Sequence, residues 1–167
     1  MKVIKTKKKN FTIRFAEKSD VALILHFIRE LADYENLLDE VVATEGVLME
    51  SLFNRRAAEV IIGEYDGNSV GFALFFHNFS TFLGKPGLYL EDLYIKPEMR
   101  GRGYGRILLS FLADLALKRD CGRLEWWCLD WNKPSIDFYK GIGAVPMEDW
   151  TVYRMTDKAL EDLAGEF

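Results

Sequence analysis

The chain has 167 residues, 49% of them apolar and 14% aromatic, enough material for one domain with a substantial core. A formal net charge of −4 argues against a phosphate-backbone partner, so nucleic-acid binding is not expected, and it favours a cationic substrate. No apolar run approaches the ~20 residues that span a bilayer and no signal-like stretch opens the sequence, so a soluble, cytoplasmic protein with no membrane partner is expected.

Residues 1–10, with Lys2, Lys5 and the run Lys7-Lys8-Lys9, precede any periodic pattern and read as a basic, solvated tail ahead of a single domain over 11–167. Phe11, Ile13 and Phe15 alternate with Thr12 and Arg14, the period of a half-buried strand. Ser19 or Asp20 then caps a helix to about Glu35, with Ile24, Phe27, Ile28 and Leu31 on its packed face. Thr44 caps a short second helix that buries Val47, Leu48 and Leu52. Residues 58–64 and 70–77 favour strands joined by the hairpin signal Asp66-Gly67, and 88–95 is the next strand.

Residues 104–118 predict a helix burying Leu108, Phe111, Leu112 and Leu115, after which 123–129 returns as a strand. Cys121 and Cys128 lack a second pair or a nearby His, so they read as core thiols and no metal is expected. Pro134 suits the first turn of a short helix to about Lys140, ended by Gly141 and Gly143. Two strands, near 144–147 and 150–155, and a C-terminal helix complete the prediction. His26 and His77 fall at ordinary structural positions.

Between the strand ending at Ile95 and the helix after it lies Arg100-Gly101-Arg102-Gly103-Tyr104-Gly105. Three glycines at alternate positions permit torsions that side chains forbid and leave amide hydrogens approachable. The helix adds the positive end of its dipole, and Arg100, Arg102 and Arg106 add charge, so a pyrophosphate fits. The Gly-Lys-Ser/Thr ending of a P-loop is missing and the glycine spacing does not fit the dinucleotide fingerprint, which removes support for nucleotide hydrolysis and NAD binding.

The strand, Arg-x-x-Gly-x-Gly and helix order resembles the acetyl-CoA signature of the GNAT superfamily. Ile13-Arg14, the stretch Glu30 to Glu35, Gly84-Lys85, the stretch Leu88 to Leu93 and the stretch Trp131 to Lys140 are similar in turn to the diamine (spermidine/spermine) acetyltransferases, covering roughly 12–155. The resemblance implies an α/β GNAT fold, a mixed and mostly antiparallel sheet with splayed middle strands flanked by helices. It also implies an acetyl-CoA-dependent N-acetyltransferase acting on the primary amine of a small diamine, polyamine or thialysine-like amino acid, working as a homodimer.

On the family pattern, Leu93, Tyr94 and Ile95 offer backbone groups to the pantetheine arm. Arg100, Gly101, Arg102, Gly103, Tyr104, Gly105 and Arg106 hold the pyrophosphate, and Asn132, Lys133, Pro134 and Ser135 also contact the coenzyme. Tyr139 protonates the leaving sulfur, and Glu91 is the base. Tyr34, Glu35, Glu91, Glu148 and Trp150 fall at substrate-side positions. On strict strand alternation Asp92 points to the face opposite Glu91, so only one of the two can face a cleft. One departure from the polyamine enzymes is the loop Phe79-Ser80-Thr81-Phe82-Leu83, which lacks their aspartate and tryptophan and favours short amines over spermine. A protein lysine or N-terminal acetyltransferase and a non-catalytic acyl-CoA-binding module are the competing functions.

Overall fold

The computed structural model describes residues 2–167, and six strands in it form one sheet. In chain order the elements are β1 (Val3–Lys5), β2 (Phe11–Phe15), α1 (Val21–Tyr34), α2 (Glu45–Leu48), β3 (Glu59–Tyr65), β4 (Asn68–Ser80), β5 (Lys85–Ile95), α3 (Tyr104–Lys118) and β6 (Arg123–Trp126). A π-helical turn over Met49–Asn54 extends α2. These elements make one unit, up to Trp127; Cys128–Phe167 is a second unit, holding α4 (Lys133–Gly141) and α5 (Asp157–Ala164).

The strands lie side by side in sequence order, antiparallel throughout except β6, which α3 returns parallel to β5. That is the mixed, mostly antiparallel sheet the sequence implies. β3 and β4 are joined where Asp66 and Gly67 both take positive φ, +49° and +78°, the backbone a tight hairpin needs.

Each sheet face carries its own apolar layer. Ile24 and Phe27 of α1 and Leu48 and Leu52 beside α2 pack with Val60, Ile62, Phe72 and Tyr94, and Phe27 stacks on Phe72 at 5.6 Å. The opposite face meets α3, where Phe11 stacks nearly flat on Tyr104 at 4.3 Å. A Cβ at Gly63 would come within 2.8 Å of the Phe11 ring, so β3 has no room for a side chain there.

Buried Arg14 ties three elements together. Its Nη1 and Nη2 donate to the two Asp20 carboxylate oxygens at 2.7 and 2.9 Å, while Nε donates to Glu64 on β3 at 2.7 Å. Asp20 also accepts the Glu17 amide at 2.7 Å. Burial pushes the Asp20 carboxyl up, but the hydrogen bonds from Arg14 and Glu17 more than offset it and hold the group below its ordinary value. Asp20 is thus the N-cap position of α1 without capping it, because its oxygens serve Arg14 instead.

Three expectations change. Val3–Lys5, within the stretch expected as a solvated tail, pairs with β2 as an edge strand, its one lysine, Lys5, exposed as befits an edge. β6 stops at Trp126 instead of reaching 129. Strands expected near 144–147 and 150–155 do not form: Pro146 interrupts the first, and the apolar residues of the second, Trp150 (71% exposed) and Tyr153 (92%) among them, have no neighbouring strand among the described residues. β-propensity needs a partner surface to express itself.

Arg14→Met should lower stability by ~3–5 kcal/mol, since it leaves the buried Asp20 and Glu64 carboxylates uncompensated. Urea denaturation checks this. A loss below about 1 kcal/mol would mean that the clamp is dispensable.

Candidate active site

The glycine-rich loop opens directly into α3. Gly101 and Gly103 take φ of +72° and +81°, and Gly103 occupies the N-cap position with no side-chain cap. First-turn amides of a helix have no helical acceptor, so this uncapped end presents donors outward. A Cβ at Gly101 would meet nothing within 4 Å, and at Gly103 only the Lys8 side chain, Cε at 3.7 Å and Nζ at 3.9 Å. The loop is therefore an open, donor-lined cradle that fits a pyrophosphate. Arg102 and Arg106 are exposed around it. Tyr104 instead turns its ring into the core against Phe11 and Tyr65, leaving only its backbone to the loop. Lys8, which the sequence placed in a solvated tail, faces the cradle because β1 pairs with β2.

β5 is irregular where its acids lie. Leu74 of β4 pairs with Asp92 while Phe75 pairs with Leu90, so Glu91 is the extra residue of a β-bulge. Phe75 lies on the α3 face, under the guanidinium of Arg119, and Leu90 shares that face with it. Leu93 is there too, 3.5 Å from where a Cβ of Gly105 would stand. With Leu90 and Leu93 both on the α3 face, strict alternation fails, and Asp92, opposite Leu74, belongs to the α1 face. The expected one-in, one-out arrangement of Glu91 and Asp92 does not hold.

Glu91 is exposed and Asp92 half-buried. Burial first, then the charges of Glu91 and Glu35, push the Asp92 carboxyl up to about 7. Burial also raises Glu35 at the end of α1. Parallel pairing with β6 covers only Gly87–Leu90, so β5 runs on to Ile95 with no strand on that edge among the described residues. This is the splay expected of the middle strands, and it leaves the backbone beside the bulge without a strand partner on that side among the described residues. Ile95 is an exception among the expected backbone contacts, since its carbonyl accepts Arg100 Nε at 2.9 Å.

Beyond the bulge a cavity of about 240 Å³ is lined by Glu30, Asp33, Tyr34, Tyr94, Pro97 and Arg100. The Arg100 guanidinium lies over the Tyr34 ring at 4.5 Å and the Tyr94 ring at 5.5 Å. Expected at the pyrophosphate, Arg100 is turned toward this cavity instead. Glu30 and Asp33, not singled out in the sequence, line it because they lie one helical turn or less before Tyr34.

In the second unit, Asn132 caps α4 by accepting the Ser135 amide at 3.4 Å, and Lys133 pairs with Asp137 at 2.9 Å. Pro134 sits in the first turn. Tyr139 is half-buried, with Phe138 at 5.4 Å between ring centroids. Glu148 and Trp150 are exposed in a stretch without regular structure.

The acetyltransferase (GNAT) family model matches residues 26–144. The chain belongs to the GNAT family. Thialysine N-epsilon-acetyltransferase of Bos taurus is 39% identical over 92% of this chain and 97% of its own length. An L-ornithine acetyltransferase of Arabidopsis thaliana is 32% identical over 89% of this chain and 86% of its own. Among solved structures, an integron cassette protein from V. cholerae superposes with a TM-score of 0.78 at 26% identity, covering 94% of this chain and 99% of that one. This GNAT protein is accordingly an N-acetyltransferase.

The bulge has a consequence for stability in the GNAT domain. An Asp near 3.9 when unfolded and near 7 when folded holds a proton only in the folded state between those values, so stability falls as pH rises from 4 to 7. Asp92→Asn removes that dependence. At pH 8 it should be more stable than the parent by up to about 4 kcal/mol, three pKa units at ~1.36 kcal/mol each, with the difference gone at pH 4. Urea midpoints at the two pH values test it; equal differences at both would show that Asp92 titrates normally.

Proposed function

We propose that this enzyme transfers acetyl from acetyl-CoA to the primary amine of a small diamine or thialysine-like amino acid, with longer polyamines poorer substrates, and that it does so as a cytoplasmic homodimer. The observation that carries the reading is the pairing, within one unit, of an uncapped glycine cradle at α3 with an acidic β-bulge on the unpaired run of β5. The cradle suits an anionic donor, and the acids suit a cationic acceptor. The thialysine and ornithine activities in the names of its relatives both concern amino acids with a terminal amine. The resemblance to diamine acetyltransferases supports the dimer.

A bound acetyl-CoA supplies the acetyl thioester. Gly101, Gly103, Gly105, Arg102 and Arg106 would hold its pyrophosphate, with Leu93, Tyr94, Asn132, Lys133, Pro134 and Ser135 as further contacts. Tyr34, Glu35, Glu91, Glu148 and Trp150 would position the amine. An alkylamine titrates near 10.4, so freeing its lone pair at pH 7 costs roughly 4–5 kcal/mol. The carboxylates at the bulge lower that barrier by accepting the proton, and Tyr139 returns one to the departing sulfur.

Coenzyme A release measured across diamines, thialysine, ornithine, spermine and a lysine peptide panel tests the assignment; turnover confined to peptides would overturn it. Gly103→Val should abolish acetyl-CoA binding in calorimetry without unfolding the chain, because a side chain there fills the loop and cannot easily hold φ near +81°. Tyr139→Phe should lower turnover by ~10²–10⁴-fold and leave coenzyme affinity little changed. A normal rate would make Tyr139 a packing residue.

A further inference from the structure

We propose that Lys8, on the turn between β1 and β2, binds the 3′-phosphate of coenzyme A and so selects acetyl-CoA over donors that lack that group. The inference rests on the acetyl-CoA-dependent function proposed above and adds one specificity-determining residue to its donor site. The turn stands beside the glycine loop: a Cβ at Gly103 would have Lys8 Cε at 3.7 Å and Nζ at 3.9 Å as its only neighbours within 4 Å. The ammonium therefore lies at the rim of the cradle, one side-chain swing from a ligand held there.

Local hydrogen bonds hold the turn in shape. Thr6 Oγ1 donates to the Phe11 carbonyl at 2.7 Å and accepts the Lys8 amide at 3.2 Å, while the Phe11 amide donates to the Lys8 carbonyl at 3.2 Å. Asn10 takes φ of +63° to close the turn, and its carbonyl accepts the Asp66 amide at 3.0 Å, tying the turn to the β3–β4 hairpin. Phe11, stacked on Tyr104, couples the whole to the start of α3. The sheet thus sets the position of Lys8, although its side chain is exposed and makes no ion pair among the described residues. Lys85, Lys118, Lys133 and Lys158, by contrast, each pair with an aspartate.

Lys8 also lines a hollow of about 270 Å³ together with Lys5, Thr6, Lys9 and Asn10. Its lining is cationic or neutral, and Glu64, the acid across the sheet from Thr12, is already engaged by Arg14. Such a wall attracts an anion. The first-turn amides of α3 are neutral donors and suit the pyrophosphate, whereas a phosphate monoester carries a charge of about −1.5 to −2 at pH 7 and calls for a cation. Coenzyme A bears that monoester on the ribose next to its pyrophosphate. A lysine at the edge of the pyrophosphate cradle is placed to meet it.

Calorimetry with acetyl-CoA and 3′-dephospho-acetyl-CoA, at low ionic strength, tests the assignment on the parent, Lys8→Met, Lys8→Arg and Lys118→Met. The parent should bind acetyl-CoA ~5–10-fold more tightly than the dephospho donor, and the preference should shrink as salt is raised. Lys8→Met should lose most of it by weakening acetyl-CoA alone, with kcat at saturating donor unchanged. Lys8→Arg keeps the charge and should keep the preference; Lys118→Met, at the far end of α3, should match the parent. A parent without preference, a preference that survives in Lys8→Met, or equal weakening of both donors by Lys8→Met would overturn the assignment and leave the acetyltransferase reading intact. A parent that binds neither donor would sink the proposed function and this assignment together.

Discussion

One extra residue in β5 organises this half of the molecule. An antiparallel pair of regular strands would send Glu91 and Asp92 to opposite faces and carry the alternation unbroken to Ile95. By accommodating Glu91 outside the ladder, the β4–β5 pair keeps Leu90 and Leu93 on the α3 side and turns Asp92 and Tyr94 to the α1 side. The same stretch is where β6 ceases to pair, so the irregular backbone and the free edge of the sheet coincide. Strand geometry thereby places acids beside the edge at which an extended ligand can lie.

The acids are held there against the preference of the fold. Glu35, Glu91 and Asp92 crowd one another, and burial works against the charge of two of them. The Arg14 cluster solves the opposite problem: there a guanidinium satisfies Asp20 and Glu64 together and fixes β2 to β3 and to the start of α1. One buried acidic group is compensated and structural; the other is left wanting a cation. The contrast is the physical signature of a site.

Much of this was legible in the sequence because the signals were local. The α3 boundaries follow from the 3.6-residue period and the glycines before Tyr104, and Thr44 caps α2 as its position suggests, accepting the Val47 amide at 3.3 Å. The bulge was not legible, since Leu88, Leu90 and Asp92 read as clean alternation and the interruption depends on how β4 registers against them. Arg100 could not be told from its neighbours in the loop either; its bond to the Ile95 carbonyl and its place over two tyrosines are tertiary facts. Residues 3–5 were misread because a three-residue edge strand has too little pattern to detect, and residues 150–155 were misread for the opposite reason, since a strand-like pattern becomes a strand only where another strand pairs with it, and none does among the described residues.

The stack of Phe11 on Tyr104, with Gly63 leaving room beneath it, bears on mechanics as well as packing. The first residue of α3 is bolted through its ring to β2 and, through Tyr65, to the end of β3. Two torsionally soft glycines precede it, with nothing but a lysine chain nearby. The cradle thus has a stiff floor and a compliant rim: the amides that open the helix keep their aim through thermal motion, while the rim can yield to admit a bulky anion and settle around it.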